Sequence, residues 1–130
     1  MVELYVDQIM SRPIETVTSN TTIRDAAEEL ISNDVGAVVV VNDANHIEGL
    51  LTATDFVLLV MGGGPSSDGT VAEFMRTDVV TTKRSAPVSE VADAMLNHLI
   101  HHVPVVDGGN VVGMVTTLDL AACLRRSLEP

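Results

Sequence analysis

The chain has 130 residues, enough for one domain with a real core. Its net charge of -11 and pI near 4.4 make any broad face repel polyanions, and only Tyr5, Phe56 and Phe74 are aromatic, so no platform for stacking bases is available. These features argue against nucleic acid and anionic membrane as partners, yet a small anion can still be held locally by a helix end and a few side chains.

Lys83 is the only lysine among seven basic residues, set against eighteen acids. Such an imbalance is expected of a halophilic protein that stays hydrated in a salty cytoplasm. Cys123 is the sole cysteine, which rules out an internal disulfide and points to a reducing compartment. Residues 1–5 lack the basic region and apolar core of a signal peptide, and the longest apolar runs, 36–41 and 56–61, are too short for a membrane span. A soluble, cytoplasmic protein is expected.

In chain order, Val6 to Met10 reads as a short helical turn, followed by an extended piece over 14–17 that Pro13 restricts at its start. Ile23, Ala26, Ala27, Leu30 and Ile31 then recur at helical spacing, which predicts an amphipathic helix with Thr21 or Thr22 as its cap and Asp25 in its first turn. Two strands follow, 37–41 and 47–51, around the turn Asn42-Asp43-Ala44-Asn45. The unbroken valines of the first strand predict cover on both of its faces. A closing helix spans 55–61. Residues 62–70 form a Gly/Ser/Pro linker; no strand precedes them and no Lys-Ser or Lys-Thr follows, so they do not make a phosphate loop.

The second half restates the first, with one residue fewer in the loop before Gly113. Val71 to Met75 corresponds to Val6 to Met10, and 79–82 is the second extended piece. Val88, Val91, Ala92, Met95 and Leu96 mark the second amphipathic helix, with Pro87 expected at its first position and Glu90 behind it. Strands over 103–106 and 111–115 flank Asp107-Gly108-Gly109-Asn110, and a closing helix covers 119–128. The organisation expected is therefore repeat 1 over 1–61, the linker 62–70 and repeat 2 over 71–130, together one compact module of α/β (α+β) class.

Each repeat closes with the same motif, Gly49-Leu50-Leu51-Thr52-Ala53-Thr54-Asp55 and Gly113-Met114-Val115-Thr116-Thr117-Leu118-Asp119. A hydroxyl and a carboxylate thus sit where a strand hands over to a helix. The first N–H groups of a helix suit a phosphate, Thr adds a hydroxyl donor, and Asp can accept from two neighbouring sugar hydroxyls. The same residue types also cap helices without any ligand, so capping and nucleotide binding both stand at this point.

The order strand, helix, strand, strand, helix, given twice and closed each time by Gly-x-x-Thr-x-x-Asp, resembles a tandem pair of CBS domains, the family named after cystathionine beta-synthase. His101-His102-Val103-Pro104-Val105-Val106-Asp107 is similar to the family's x-x-h-Pro-Val-Val-Asp strand, whereas the first copy has Val39 in place of the proline. The resemblance implies two βαββα repeats packed about a pseudo-twofold axis, a Bateman module. It further implies clefts between the repeats that take adenosyl compounds: AMP, ADP, ATP, S-adenosylmethionine or NAD. On that basis one cleft uses Thr116 and Asp119, with Ile14, Glu15, Val35 and Gly36 along the base. The other uses Thr52, Thr54 and Asp55, with Val79, Val80 and Ile100.

By the same resemblance His101 matches a phosphate-contacting histidine of the AMP-sensing kinase regulatory subunit. Its counterpart in the first repeat is Gly36, so the Asp119 cleft is expected to favour phosphorylated ligands, more weakly as pH rises through the histidine range. No catalysis and no required cofactor are implied. The signal would pass to a homodimer or an effector protein, and the alternative is a dimerisation module with vestigial clefts.

Other constellations carry less. His98, His101 and His102 lack a carboxylate or Cys at ligand spacing for a metal, and Cys123 has no neighbouring base in sequence. Asp55 and Asp119 belong to separate clefts and cannot share acid-base work. Arg125 and Arg126 suit the negative end of the last helix, and Met61, Met75, Met95 and Met114 are expected as core fillers.

Overall fold

In the computed structural model, which describes residues 3–12, 14–64 and 69–128, the first half runs α1 (Val6–Ile9), β1 (Thr16–Val17), α2 (Ile23–Asn33), β2 (Ala37–Val41), β3 (Ile47–Thr52) and α3 (Ala53–Met61). The second half repeats it as α4 (Val71–Phe74), β4 (Thr82–Lys83), α5 (Val88–His98), β5 (His102–Asp107), β6 (Asn110–Thr116) and α6 (Thr117–Ser127). The fold is mixed α/β. Pro13, and residues 65–68 of the expected linker, lie outside the described residues.

Each half makes a three-stranded sheet, β1-β2-β3 and β4-β5-β6, in which the first pair is parallel and the second antiparallel. β2 is buried at all five positions, as its unbroken valines require. The tight turns use the residues provided for them. Asn42 Oδ1 accepts from the Ala44 and His46 N–H groups, and Gly108 and Gly109 take φ of 57° and 87°, which costs glycine little.

The elements gather into two compact units, and these do not coincide with the two sequence repeats. One unit is Glu15–Val79; the other joins the chain up to Ile14 with everything from Val80 onward. Val6, Ile9 and Met10 accordingly pack with Val91, Met95, Val103, Val105 and Val115, all from the second repeat. Val71 in turn packs with Val17, Ile23, Ala26, Leu30, Val38, Val40 and Leu51 of the first. Backbone bonds fasten each exchanged turn, from Val6 N–H to Ala86 C=O (2.9 Å) and from Val71 N–H to Thr21 C=O (2.9 Å). Gly69 and Thr70, placed in the linker by sequence, join the Glu15–Val79 unit, where the Gly69 carbonyl accepts from Ile23 N–H and Thr70 bridges Thr22.

This exchange explains the glycine that opens each closing motif. A Cβ on Gly49 would come within 2.5 Å of Met75 Sδ and 2.9 Å of the Arg76 carbonyl. One on Gly113 would come within 2.6 Å of Met10 Sδ and 3.3 Å of the Ser11 carbonyl. The bare backbone is what lets the methionine that ends each exchanged turn lie against the strand.

Several local expectations need correction. The apolar stripe of each long helix is narrower than predicted: Ile23, Ala26 and Leu30 are buried, as are Val91 and Met95, but Ile31 and Leu96 are 82% and 73% exposed. Each follows a buried residue by one step of about 100°, which turns it off the core face. Pro87 is the N-cap of α5 rather than its first helical residue, while Thr22 caps α2 by accepting from Asp25 N–H. Met61 is exposed at the end of α3, unlike Met95 and Met114, which are buried. Cys123 packs against the core formed around Val6.

Candidate functional site

Both closing motifs sit at a strand-to-helix junction, β3 to α3 and β6 to α6. The strand residues are held in register by the antiparallel ladder, and the Thr at each strand end has the extended backbone of an N-cap. In both, the Thr hydroxyl accepts from the Asp N–H (3.4 Å for Thr52, 3.2 Å for Thr116). Reciprocally, the Asp Oδ2 accepts from the Thr N–H at 2.9 Å. The capping reading therefore holds at both junctions as a reciprocal box. A further first-turn donor is also used, because Ala53 N–H bonds the Gly36 carbonyl (2.9 Å) and Thr117 N–H bonds the His101 carbonyl (3.1 Å).

The remaining carboxylate oxygen distinguishes the junctions. Asp55 Oδ1 accepts from Arg76 Nε at 2.8 Å, and Asp55 is 7% exposed. Thr52 also gives its hydroxyl proton to Asp55 Oδ2 (3.1 Å). Asp119 is half-buried, and among the described residues the one side chain bonded to its carboxylate is Ser11, whose hydroxyl lies 3.0 Å from Oδ1 and 3.1 Å from Oδ2. Neither Arg76 nor Ser11 was found from sequence. The signal was present, since each directly follows the methionine of an exchanged turn, but its meaning depends on the exchange.

The expected site residues divide between the units. Thr52, Thr54, Asp55, Glu15, Val35, Gly36 and Val79 lie in the Glu15–Val79 unit. There Gly36 is bonded to the first turn of α3, and the Glu15 carbonyl accepts from Val39 N–H (3.1 Å). Thr116, Asp119, His101, Ile14, Val80 and Ile100 lie in the other. His101 is exposed beside the start of α6, and its neighbour His102 is half-buried, with its Cα opposite Thr116 in the ladder.

Burial lowers the pKa of His102 below the ordinary histidine range, and the nearby His101 pushes the same way, while Asp119 opposes both. The unfolded chain therefore binds a proton at His102 more readily than the folded one. Stability contributed by neutral His102 is present above about pH 6.5 and lost as pH falls from there towards the folded pKa. Thermal melts of wild type should drop across that window, and His102→Gln should remove part of the drop.

A cavity of about 430 Å³ lies within one unit, lined by residues of β4 and α5 that include Thr82, Lys83, Glu90 and Val91. None of the expected site residues lines it. Among the described residues no group of three or more His, Cys, Asp or Glu is placed to hold a metal, and no helix is long and apolar enough to cross a membrane.

The CBS domain family matches residues 6–62 and again 71–126, and the chain belongs to that family, with two copies of the domain. It is 33% identical over 116 residues to the CBS domain-containing protein YhcV of Bacillus subtilis, covering 89% of this chain and 82% of that one. It is also 28% identical to hypoxic response protein 1 of Mycobacterium tuberculosis over 114 residues, 87% of this chain and 80% of that one. Among solved structures, the CBS domain pair of MJ0100 in complex with 5'-methylthioadenosine and S-adenosyl-L-methionine superimposes with a TM-score of 0.88 at 30% identity. That match covers 97% of this chain and 99% of the other.

Proposed function

We propose that this chain is a regulatory module that binds an adenosyl compound and does no chemistry of its own. The observation that carries the reading is the Thr116–Asp119 junction, where among the described residues the carboxylate has a serine hydroxyl as its one side-chain partner, beside the Thr116 N–H of the cap. A sugar hydroxyl can take over that contact like for like. The ligand-bound CBS pair of MJ0100 supports the class of guest. Thr116 and Asp119 would hold the sugar-phosphate part. Ile14, Val80, Ile100 and His101 belong to the same unit, and Glu15, Val35, Gly36, Thr52, Thr54, Asp55 and Val79 to the unit of the second junction.

Binding would act by shifting the association of the chain with a second copy or an effector, by no more than the ligand's difference in affinity for the two states. Exposed apolar side chains on α3 (Val57, Leu58, Val60) and α6 (Leu118, Leu124) favour a homodimer as the responding species. The test is a thermal-shift panel of AMP, ADP, ATP, S-adenosylmethionine, methylthioadenosine and NAD at two ionic strengths. At one hundred times its dissociation constant a true ligand adds about 2.7 kcal/mol of stability. No shift with any of them would leave the alternative, a dimerisation scaffold.

A further inference from the structure

Ser11 and Arg76 are counterparts in the duplicated sequence. Each follows the methionine that ends an exchanged turn, and each trades two backbone hydrogen bonds with the middle of a strand. Ser11 does so with Met114 (2.8 and 3.1 Å), and Arg76 with Leu50 (3.0 and 3.0 Å). From the same backbone anchor both side chains reach the motif carboxylate, one as a neutral hydroxyl and one as a guanidinium. We propose that Arg76 closes the Asp55 junction to ligand and leaves Asp119 as the single adenosyl site of each chain. This rests on the adenosyl reading above.

A serine has one proton to give, and a ribose hydroxyl replaces it with no change of charge at Asp119. At Asp55 the ligand would have to displace a cation from a carboxylate whose side chain is 9% exposed, and neutral hydroxyls would then face a buried charge. The alcohols differ in the same direction. Thr52 spends its proton on Asp55, whereas among the described residues the Thr116 hydroxyl has no acceptor, so its proton remains for an oxygen of the guest. Arg76 is itself 58% exposed on its side chain, so exchanging it removes little packing, and the cost falls on the Asp55 carboxylate left without its cation.

The test is calorimetric titration with methylthioadenosine, which carries no phosphate and so reports on the sugar contacts without ionic help from histidine or arginine. Wild type should bind one equivalent per chain, and Asp119→Ala should bind none. Arg76→Ser should bind two, returning to one when Asp55→Ala is added. Ser11→Arg should weaken binding at Asp119 by roughly 10- to 100-fold, the effect of one charge-assisted bond to be displaced. Should Arg76→Ser fail to fold, as a melt will show, Ser11→Arg decides alone.

Two equal sites in wild type, weaker binding after Arg76→Ser, or an unaffected Ser11→Arg would each overturn the closure. One site that needs Asp119 but does not respond to Arg76→Ser in a folded protein would overturn it while sparing the adenosyl reading. Absence of binding by wild type and every variant would overturn the adenosyl reading itself.

Discussion

Val6→Asp is expected to unfold the unit formed around the second repeat, although Val6 belongs to the first. The side chain is fully buried among Val91, Val103, Val105 and Val115. A carboxylate there must either stay charged without a partner or take up a proton, at a cost of several kcal/mol against a total stability of about 5–15 kcal/mol. Hydrogen exchange should show protection lost across 80–128. Val71→Asp, the mirror change, should strip protection from 16–61 instead, because Val71 is buried with Val38, Val40 and Leu51. If Val6→Asp loosens 16–61 first, the exchange of opening turns is wrong.

Asp119→Ala is expected to remove adenosyl binding while leaving the fold standing. The carboxylate is half-buried and its protein partners are Ser11 and the Thr116 N–H, so its loss costs one helix cap, about 1 kcal/mol. A bound diol, in contrast, would lose two hydrogen bonds to a charged acceptor, each worth about 1.5–3 kcal/mol, or roughly a hundredfold or more in affinity together. The ligand-induced thermal shift should vanish in this variant and persist in Asp55→Ala. A shift retained in Asp119→Ala would place the ligand elsewhere, the cavity beside Lys83 being the next candidate.

Much of this architecture was legible in the sequence because it rests on local rules. The bounds of β2 follow from five consecutive apolar residues ahead of an Asn-containing turn, and the sequence narrows the cap of α2 to Thr21 or Thr22, of which the structure uses Thr22. The two junctions were visible as a motif given twice. The exchange of opening turns was not visible, since α1 and α4 carry the same apolar pattern and each could serve either sheet. Arg76 and Ser11 acquire meaning only once that exchange sets them under the carboxylates. Ile31 and Leu96 fall outside the core because helical spacing fixes a direction around the helix axis but not how far the core extends around it, and Met61 does so because residue type alone does not bury the last residue of a helix.

The account stands most directly on the claim that the Asp119 carboxylate grips the two hydroxyls of a ribose. The measurement that reaches it is a pair of calorimetric titrations of the wild-type chain, one with methylthioadenosine and one with its 2',3'-dideoxy counterpart. Saturable binding of the first, with the second weaker by about a hundredfold, is the predicted result. Equal affinities for the two compounds, or no heat from either, would contradict it.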